Sequence, residues 1–274
     1  MSSILTNNSA MVALQTLKSI NGNLAKTQSE IATGKSVASA KDNSAVWAIS
    51  KVMESDVSGF KAISSSLALG QSTVAVATAG AEQITNLLNS MKEKVVAATG
   101  ENVDNAKITA DVDEMKNQIT SIINAAQFNG ANLLNTAGGD ITVLSSLDRD
   151  AGGVVTASNI TVTSVDFQAG LDLSTIDVST SAAADTSLAA METLIQAAVD
   201  GGAALGASQS RIEQQSDFVS KLTDAMKSGI GAMVDADMEE ASARLQALQV
   251  QQQLGVQSLS IANQGAQSIL SLFR

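Results

Sequence analysis

Cysteine, histidine, proline and tyrosine are all absent from this chain of 274 residues. Without Cys or His there are no disulfides, no thiolate nucleophile and no zinc site of the usual kind. The lack of Cys also suits a protein that travels unfolded and works outside the cell. Without Pro nothing interrupts a long helix. Aromatics amount to 2% of the residues, five Phe and one Trp. Any core must therefore be built from Leu, Ile, Val, Met and Ala, which pack as thin helical seams more readily than as a bulky centre. Charged residues are also scarce at 16%, and the net charge of −11 argues against nucleic acid and anionic membrane surfaces as partners. No apolar run of 18 residues occurs, so no membrane-spanning segment is expected. The start, MSSILTNNSAMVALQ, lacks the basic and continuous apolar regions of a cleavable signal peptide. Secretion, if it occurs, is expected by a route that reads no such signal.

What is present is periodicity. Between Arg244 and Arg274 no side chain is charged, yet Gln, Asn and Ser are too frequent for a bilayer core. Small and apolar residues recur there in steps of three and four: Met238, Ala241, Leu245, Leu248, Gln252, Gly255, Leu259, Ala262, Ala266, Ile269 and Phe273. This heptad stripe predicts a helix that buries a narrow seam against other helices. The opposite face is neutral rather than charged. Identical copies can meet across such a face, because Gln and Ser pair with themselves whereas like charges repel. An ordinary terminal helix of a bundle satisfies the same stretch.

The N-terminus mirrors it. Residues 1–25 carry a single charge, Lys18, and a stripe runs through Ala10, Ala13, Leu17, Ile20, Leu24, Thr27 and Ile31. The two ends are expected to pack together. From Thr33-Gly34 to Asn43 the pattern lapses into a connector, with Asp42 and Asn43 as candidate N-caps. The longest stripe runs from Phe60 through Ile63, Leu67, Gly70, Val74, Ala77, Ala81, Ile84, Leu88, Met91 and Val95 to Ala98. After Gly100 and Asn102, Asp104 can cap a further helix marked by Ile108, Val112, Met115, Ile119, Ile122 and Ala126. That helix is expected to stop at Gln127-Phe128-Asn129-Gly130, with Gly130 as the left-handed closing residue. Residues 131–180, with runs such as Ile141–Leu144 and Ile160–Thr163 between glycines, read as short strands and turns. Helical spacing returns at Leu188, Met191, Ile195, Ala198, Leu205, Ile212, Val219, Met226, Ile230 and Met233, up to an acidic break at Asp235-Ala236-Asp237. The fold class is mainly α. Both termini form a long antiparallel helical rod or coiled-coil bundle, with a small β-rich insertion in the middle.

Several residues imitate chemistry. Gly34-Lys35-Ser36 resembles the end of a phosphate loop, but Ser29 stands where the loop's first Gly belongs and no strand precedes it. Asp235-Ala236-Asp237-Met238-Glu239 imitates a calcium loop, but Glu240 replaces the required Gly. Asp111, Asp113 and Glu114 fall on a solvated helix face, and Met91, Met115, Met226 and Met233 on seams. No convergent constellation supports an enzyme, and no cofactor or metal is expected. A lipid-associating helix is disfavoured by the net negative charge.

By Gln127-Phe128-Asn129-Gly130, the stretch Leu205–Arg211 and the end Ser268–Arg274, with Thr33-Gly34 and Ser39-Ala40-Lys41-Asp42, the chain resembles the bacterial flagellins. With Ile261-Ala262-Asn263-Gln264 it is most similar to the short flagellins of alphaproteobacteria. The resemblance implies a structural subunit that is exported through the flagellar type III apparatus. It would polymerise with itself, or with other flagellins beside it, into the extracellular filament for swimming. It further implies a cytoplasmic chaperone, the cap and hook-junction proteins as partners, with no nucleic acid or membrane. A hook-junction protein of the same architecture is the nearest rival. The implied layout is an inner-tube segment and connector at 1–40, helical core halves at 41–130 and 181–234, an exposed insertion at 131–180 and an inner-tube helix at 235–274. Leu17, Ile20, Leu24, Ile31, Leu245, Leu248, Leu259, Ile269 and Phe273 are the expected polymerisation seam. The resemblance also aligns a receptor patch of the family with Met91–Ala98, where Lys92, Lys94 and Val95 replace the Arg and Glu of the receptor-active pattern. Likewise the family's plant-recognised peptide aligns with Ser29–Ser50, from whose active form Lys35-Ser36-Val37-Ala38 and Asn43-Ser44 depart.

Overall fold

A computed structural model describes residues 7–135, 138–150 and 152–271, with side chains as far as Gln264. It divides into two compact units: residues 1–55 with 225–274, and residues 56–224. The divisions fall inside long helices, whereas the segment boundaries expected at 40, 130, 180 and 234 fall at breaks between elements.

In the first unit, helix α1 (Asn8–Thr33) packs against α6 (Met238–Ser271). Asn7 caps α1 by accepting a hydrogen bond from the Ala10 amide, and Gly34, at φ +69°, closes it in the left-handed region that glycine adopts freely. The connector then joins the end of α5 (Ser181–Val234). The Ser36 amide donates to Val234 O at 2.7 Å, and the Ala236 amide donates to Gly34 O at 2.9 Å. Asp237 caps α6 by accepting from the Glu239 and Glu240 amides, and those two carboxylates lie at the positive end of the helix dipole. Asn43 caps α2 (Ser44–Ala98) through the Val46 amide. Asp42 does not cap; it accepts from the Ser39 amide and hydroxyl, which hold its carboxyl below the ordinary range. Here α2 meets the end of α5 at Gly229, where a Cβ would lie 3.5 Å from the Met53 methyl.

In the second unit every residue of the Phe60-to-Ala98 stripe is buried. The helix itself starts at Ser44, ahead of the stripe. Ile49 and Val52 lie exposed while polar Ser50 is buried, so apolar residues do not mark the sheltered face of the early turns. On α5 a strict seven-residue row, Met191, Ala198, Leu205, Ile212 and Val219, is buried, and Leu194 is buried where Ile195 was expected. Helices α2 and α5 run antiparallel within this unit, tied by Lys92 to Glu192 and by the Ser181 hydroxyl to Thr99 O. Helix α3 (Asn105–Ala125) buries Val112, Ile119 and Ile123. Asp104 occupies its N-cap position without a side-chain cap bond.

Helix α3 ends at Ala125, capped at Ala126, just before Gln127–Gly130 as expected, but Gly130 does not close it: the stretch begins a hairpin. Strand β1 (Gln127–Phe128) pairs antiparallel with β2 (Ala131–Asn132) around Asn129 at φ +50° and Gly130 at φ +85°. Two central residues with positive φ make the turn whose twist matches the strands, and Asn-Gly is its preferred sequence. Asn132, buried, anchors it: Nδ2 donates to Ile123 O at 2.7 Å and Oδ1 accepts from the Leu134 amide at 2.8 Å.

The expected strands are real and longer than the runs that signalled them. Strand β3 (Ile141–Arg149) pairs antiparallel with β4 (Val155–Val162), with a bulge at Ser145. The hairpin lies along α2 because glycine opens room for it. A Cβ on Gly70 would approach Val143 Cγ2 to 2.5 Å, and one on Gly59 would approach Leu147 Cδ1 to 2.6 Å. Arg149 grips Asp56 with two hydrogen bonds, and that carboxylate raises the guanidinium pKa. Short helix α4 (Phe167–Gly170) and a 3-10 turn (Leu173–Thr175) follow, unforeseen in the strand-and-turn reading and pinned by buried Phe167, Leu171 and Ile176.

Candidate assembly surface

Helices α1 and α6 are antiparallel. Asn7 Nδ2 donates to Ala262 O at 2.9 Å and Gln252 Nε2 donates to Asn21 Oδ1 at 2.8 Å. Between these bonds a Cβ on Gly255 would stand 3.2 Å from Leu17 Cδ1 and 3.8 Å from Ile20 Cδ1. Glycine therefore lets the two backbones approach where larger side chains interdigitate. Ala10, Ala13, Leu17, Ile20, Leu24 and Ile31 on α1 are half-buried and Thr27 buried; on α6, Leu245, Gln252, Gly255, Leu259 and Ala262 are half-buried, and Ala241 and Leu248 buried. Met238, the first residue of the expected stripe, is exposed beside the acidic cap.

The expected polymerisation residues Leu17, Ile20, Leu24, Ile31, Leu245, Leu248 and Leu259 thus lie along the seam between two helices of one chain. Most of them are only half-buried, and Ile20, with Ala13 and Gly255, lines an open groove over the helix pair. Phe273 and the side chain of Ile269 lie outside the described residues.

A second set of apolar residues points away from that seam. Met11, Val12 and Leu14 on α1 are 61%, 64% and 57% exposed, and Val250, Leu254, Val256 and Ile261 on α6 are 54–67% exposed. Val12, Thr16, Leu254 and Ser258 help line a groove of about 780 Å³ over the helix pair, and Leu254 also borders one of about 440 Å³ on the far side of α6. From Leu245 to Phe273 the sequence holds no charge to solvate these faces; Arg244, the last before it, is paired with Glu240 at 2.5 Å. These residues escape a periodicity search because they sit off the three–four row. Their signal in the sequence is the missing charge on the face opposite the stripe.

Elsewhere the imitations resolve into structure. Gly34-Lys35-Ser36 ends a helix and bridges to Asp235, whereas a phosphate loop opens a helix. Asp111 and Asp113 pair with Lys94 and Lys116 on an exposed face. Met91 and Val95 of the receptor-aligned patch are fully buried and offer a partner no surface; Lys92 and Lys94 are half-buried and already paired, with Glu192 and Asp111. Among the described residues no group of three or more acidic side chains is placed to hold a metal, and no helix is long and apolar enough to cross a membrane.

The family model for the bacterial flagellin N-terminal helical region matches residues 4–138, and that for the C-terminal helical region matches residues 188–273. The chain is 43% identical over 278 residues to flagellin FljM of Caulobacter vibrioides, covering all of this chain and 99% of the relative. It is 42% identical over 282 residues to a flagellin of Brucella melitensis, with both chains covered in full. A solved Bacillus cereus flagellin overlaps 55% of this chain and 86% of its own, with 23% identity and a TM-score of 0.49.

Proposed function

The chain belongs to the bacterial flagellin family, and we propose that its exposed, uncharged α1 and α6 faces are the surfaces through which copies join. It is a structural subunit of the flagellar filament, which lies outside the cell, and it is not an enzyme. One observation carries the assignment of the faces: seven large apolar side chains stand exposed on stretches of α1 and α6 that hold no charged residue. Exposed apolar area grouped in this way marks an interaction surface. Burying each such side chain against a neighbour contributes about 1.5–3 kcal/mol, repeated at every subunit. The seam residues Leu17, Ile20, Leu24, Ile31, Leu245, Leu248 and Leu259 act one step earlier, by holding the helix pair that presents those faces.

Residues 1–40 and 235–274 would form the inner tube, 41–130 and 181–234 the surrounding helical layer, and 131–180 the exposed part. Export is assigned to the flagellar type III route. A cytoplasmic chaperone for the C-terminal segment, the cap and the hook-junction proteins are the expected partners. The absence of Cys supports passage as an unfolded chain, since no disulfide can lock it.

Electron microscopy of the purified protein after seeding or salting-out, alongside light scattering, tests the reading. Long uniform filaments that dissociate on heating are expected. A monodisperse monomer that never extends a seed would overturn it.

A further inference from the structure

Asparagine precedes glycine twice in the sequence, at Asn21-Gly22 and at Asn129-Gly130. The dipeptide is the most prone to close a ring on itself, since glycine places no side chain beside its backbone nitrogen. The two copies stand in opposite surroundings. Gly22 lies inside α1, where its amide is committed to the helix ladder, and Asn21 Oδ1 is held by Gln252 Nε2 at 2.8 Å. Asn129 and Gly130 are both exposed at the tip of a hairpin whose strands are two residues each. Among the described residues the Gly130 amide makes no backbone hydrogen bond outside the ladders, and a Cβ at Gly130 would meet nothing within 4 Å.

We propose that Asn129 is a site of spontaneous covalent modification, in which the Gly130 nitrogen attacks Asn129 Cγ. A new N–Cγ bond forms and the Cγ–Nδ2 bond breaks. The Gly130 proton leaves through solvent base, and the side-chain nitrogen departs as ammonia. Water then opens the cyclic imide at either carbonyl, leaving an aspartyl or an isoaspartyl residue at position 129. Water is the only co-reactant, and nothing is oxidised or reduced. The aspartyl product adds a negative charge at a position with positive φ that Asp tolerates. The isoaspartyl product adds a backbone methylene to a turn that accommodates two residues, so the pairing of β1 with β2 cannot survive it unchanged. Asn132, buried behind the turn and bonded to Ile123 and Leu134, confines the change to the tip.

The full-length monomer is aged at neutral and at mildly alkaline pH. It is then digested, mapped for the one-dalton gain, and labelled with a methyltransferase that recognises isoaspartyl groups. The expected result is that Asn129 modifies at least an order of magnitude faster than Asn21, and faster at the higher pH because base removes the Gly130 proton. In unfolded chains the two rates should converge. Asn129→Gln, whose longer side chain closes its ring far more slowly, should lose the signal. Equal rates at Asn21 and Asn129 in the folded monomer, or an unmodified Asn129 under conditions that convert it in the unfolded chain, would overturn the proposal. So would a gain that persists in the same peptide of Asn129→Gln.

Discussion

Two glycines in long helices show how one side chain can meet opposite surroundings. At Gly206, inside α5, an added Cβ meets nothing within 4 Å, so Gly206→Ala removes only backbone freedom from the unfolded chain. It should stabilise by about 0.5–1 kcal/mol. At Gly70 the same methyl would stand 2.5 Å from Val143 Cγ2 and 2.9 Å from Cγ1. Overpacking of this kind costs about 1–3 kcal/mol, so the helix-propensity gain is outweighed and Gly70→Ala should destabilise. Urea unfolding of the two variants checks both signs; shifts in the same direction would contradict the packing of β3 on α2. Among titrating groups, Asp42 is held low by the Ser39 amide and hydroxyl, and Asp177 by the Ser179 amide. A depressed carboxylate contributes stability that is fully present above its unfolded value near 3.8 and is lost as pH falls through the lower folded value. Carboxyl NMR should place both midpoints below 3.8, and a midpoint at or above it would contradict the hydrogen bonds.

At the scale of elements, α6 is a helix with two kinds of apolar residue. Leu248 is buried against α1, while Leu254, six positions on, is 58% exposed. Leu248→Asp places an unpaired carboxylate in the seam; it should leave a soluble helical monomer with a loosened α1/α6 pair and no filaments. Leu254→Asp should change monomer stability by less than about 0.5 kcal/mol and still abolish filaments. Circular dichroism of the monomers together with seeded growth separates the roles. Normal filaments from Leu254→Asp would remove the exposed face from the assembly surface, and normal filaments from Leu248→Asp would remove the seam. Elements of this kind were legible because their signal is local and periodic. The rows Ala10–Ile31, Phe60–Ala98 and Ala241–Ala262 recur in the structure as the sheltered faces. The stretch from Ser44 to Phe60 was not legible, since its apolar residues are not confined to one face. The end of α3 before Gln127 was legible, but the role of Gly130 was not, because a glycine with positive φ ends helices and turns hairpins alike, and only the pairing of Phe128 with Ala131 decides between them.

For the whole molecule the question is what the ends do before assembly. The α1/α6 pair buries few side chains, Thr27, Ala241 and Leu248 among those described, and leaves most of its seam half-exposed. A pair of helices with so little core offsets only part of the entropy of ordering them. Residues 1–30 and 245–274 should therefore exchange their amide hydrogens rapidly in the monomer and become protected in the filament. Strong protection of both segments in the monomer would refute this. The second unit, with its continuous buried row along α2 and α5, should be protected in both states.

Composition and spacing by themselves determined the helical class, most of the sheltered row of each long helix and the absence of His- or Cys-based chemistry. These are local properties: a three–four row needs no knowledge of its partner. The tertiary structure decided what each row meets. It placed Leu17, Ile20 and Gly255 together inside one chain and turned Val12, Leu254 and Ile261 outward. It buried Met91 and Val95 out of a partner's reach, and freed Asn129 while holding Asn21. Partner choice depends on residues far apart in sequence being brought to contact distance, and periodicity carries no information about which distant row will arrive.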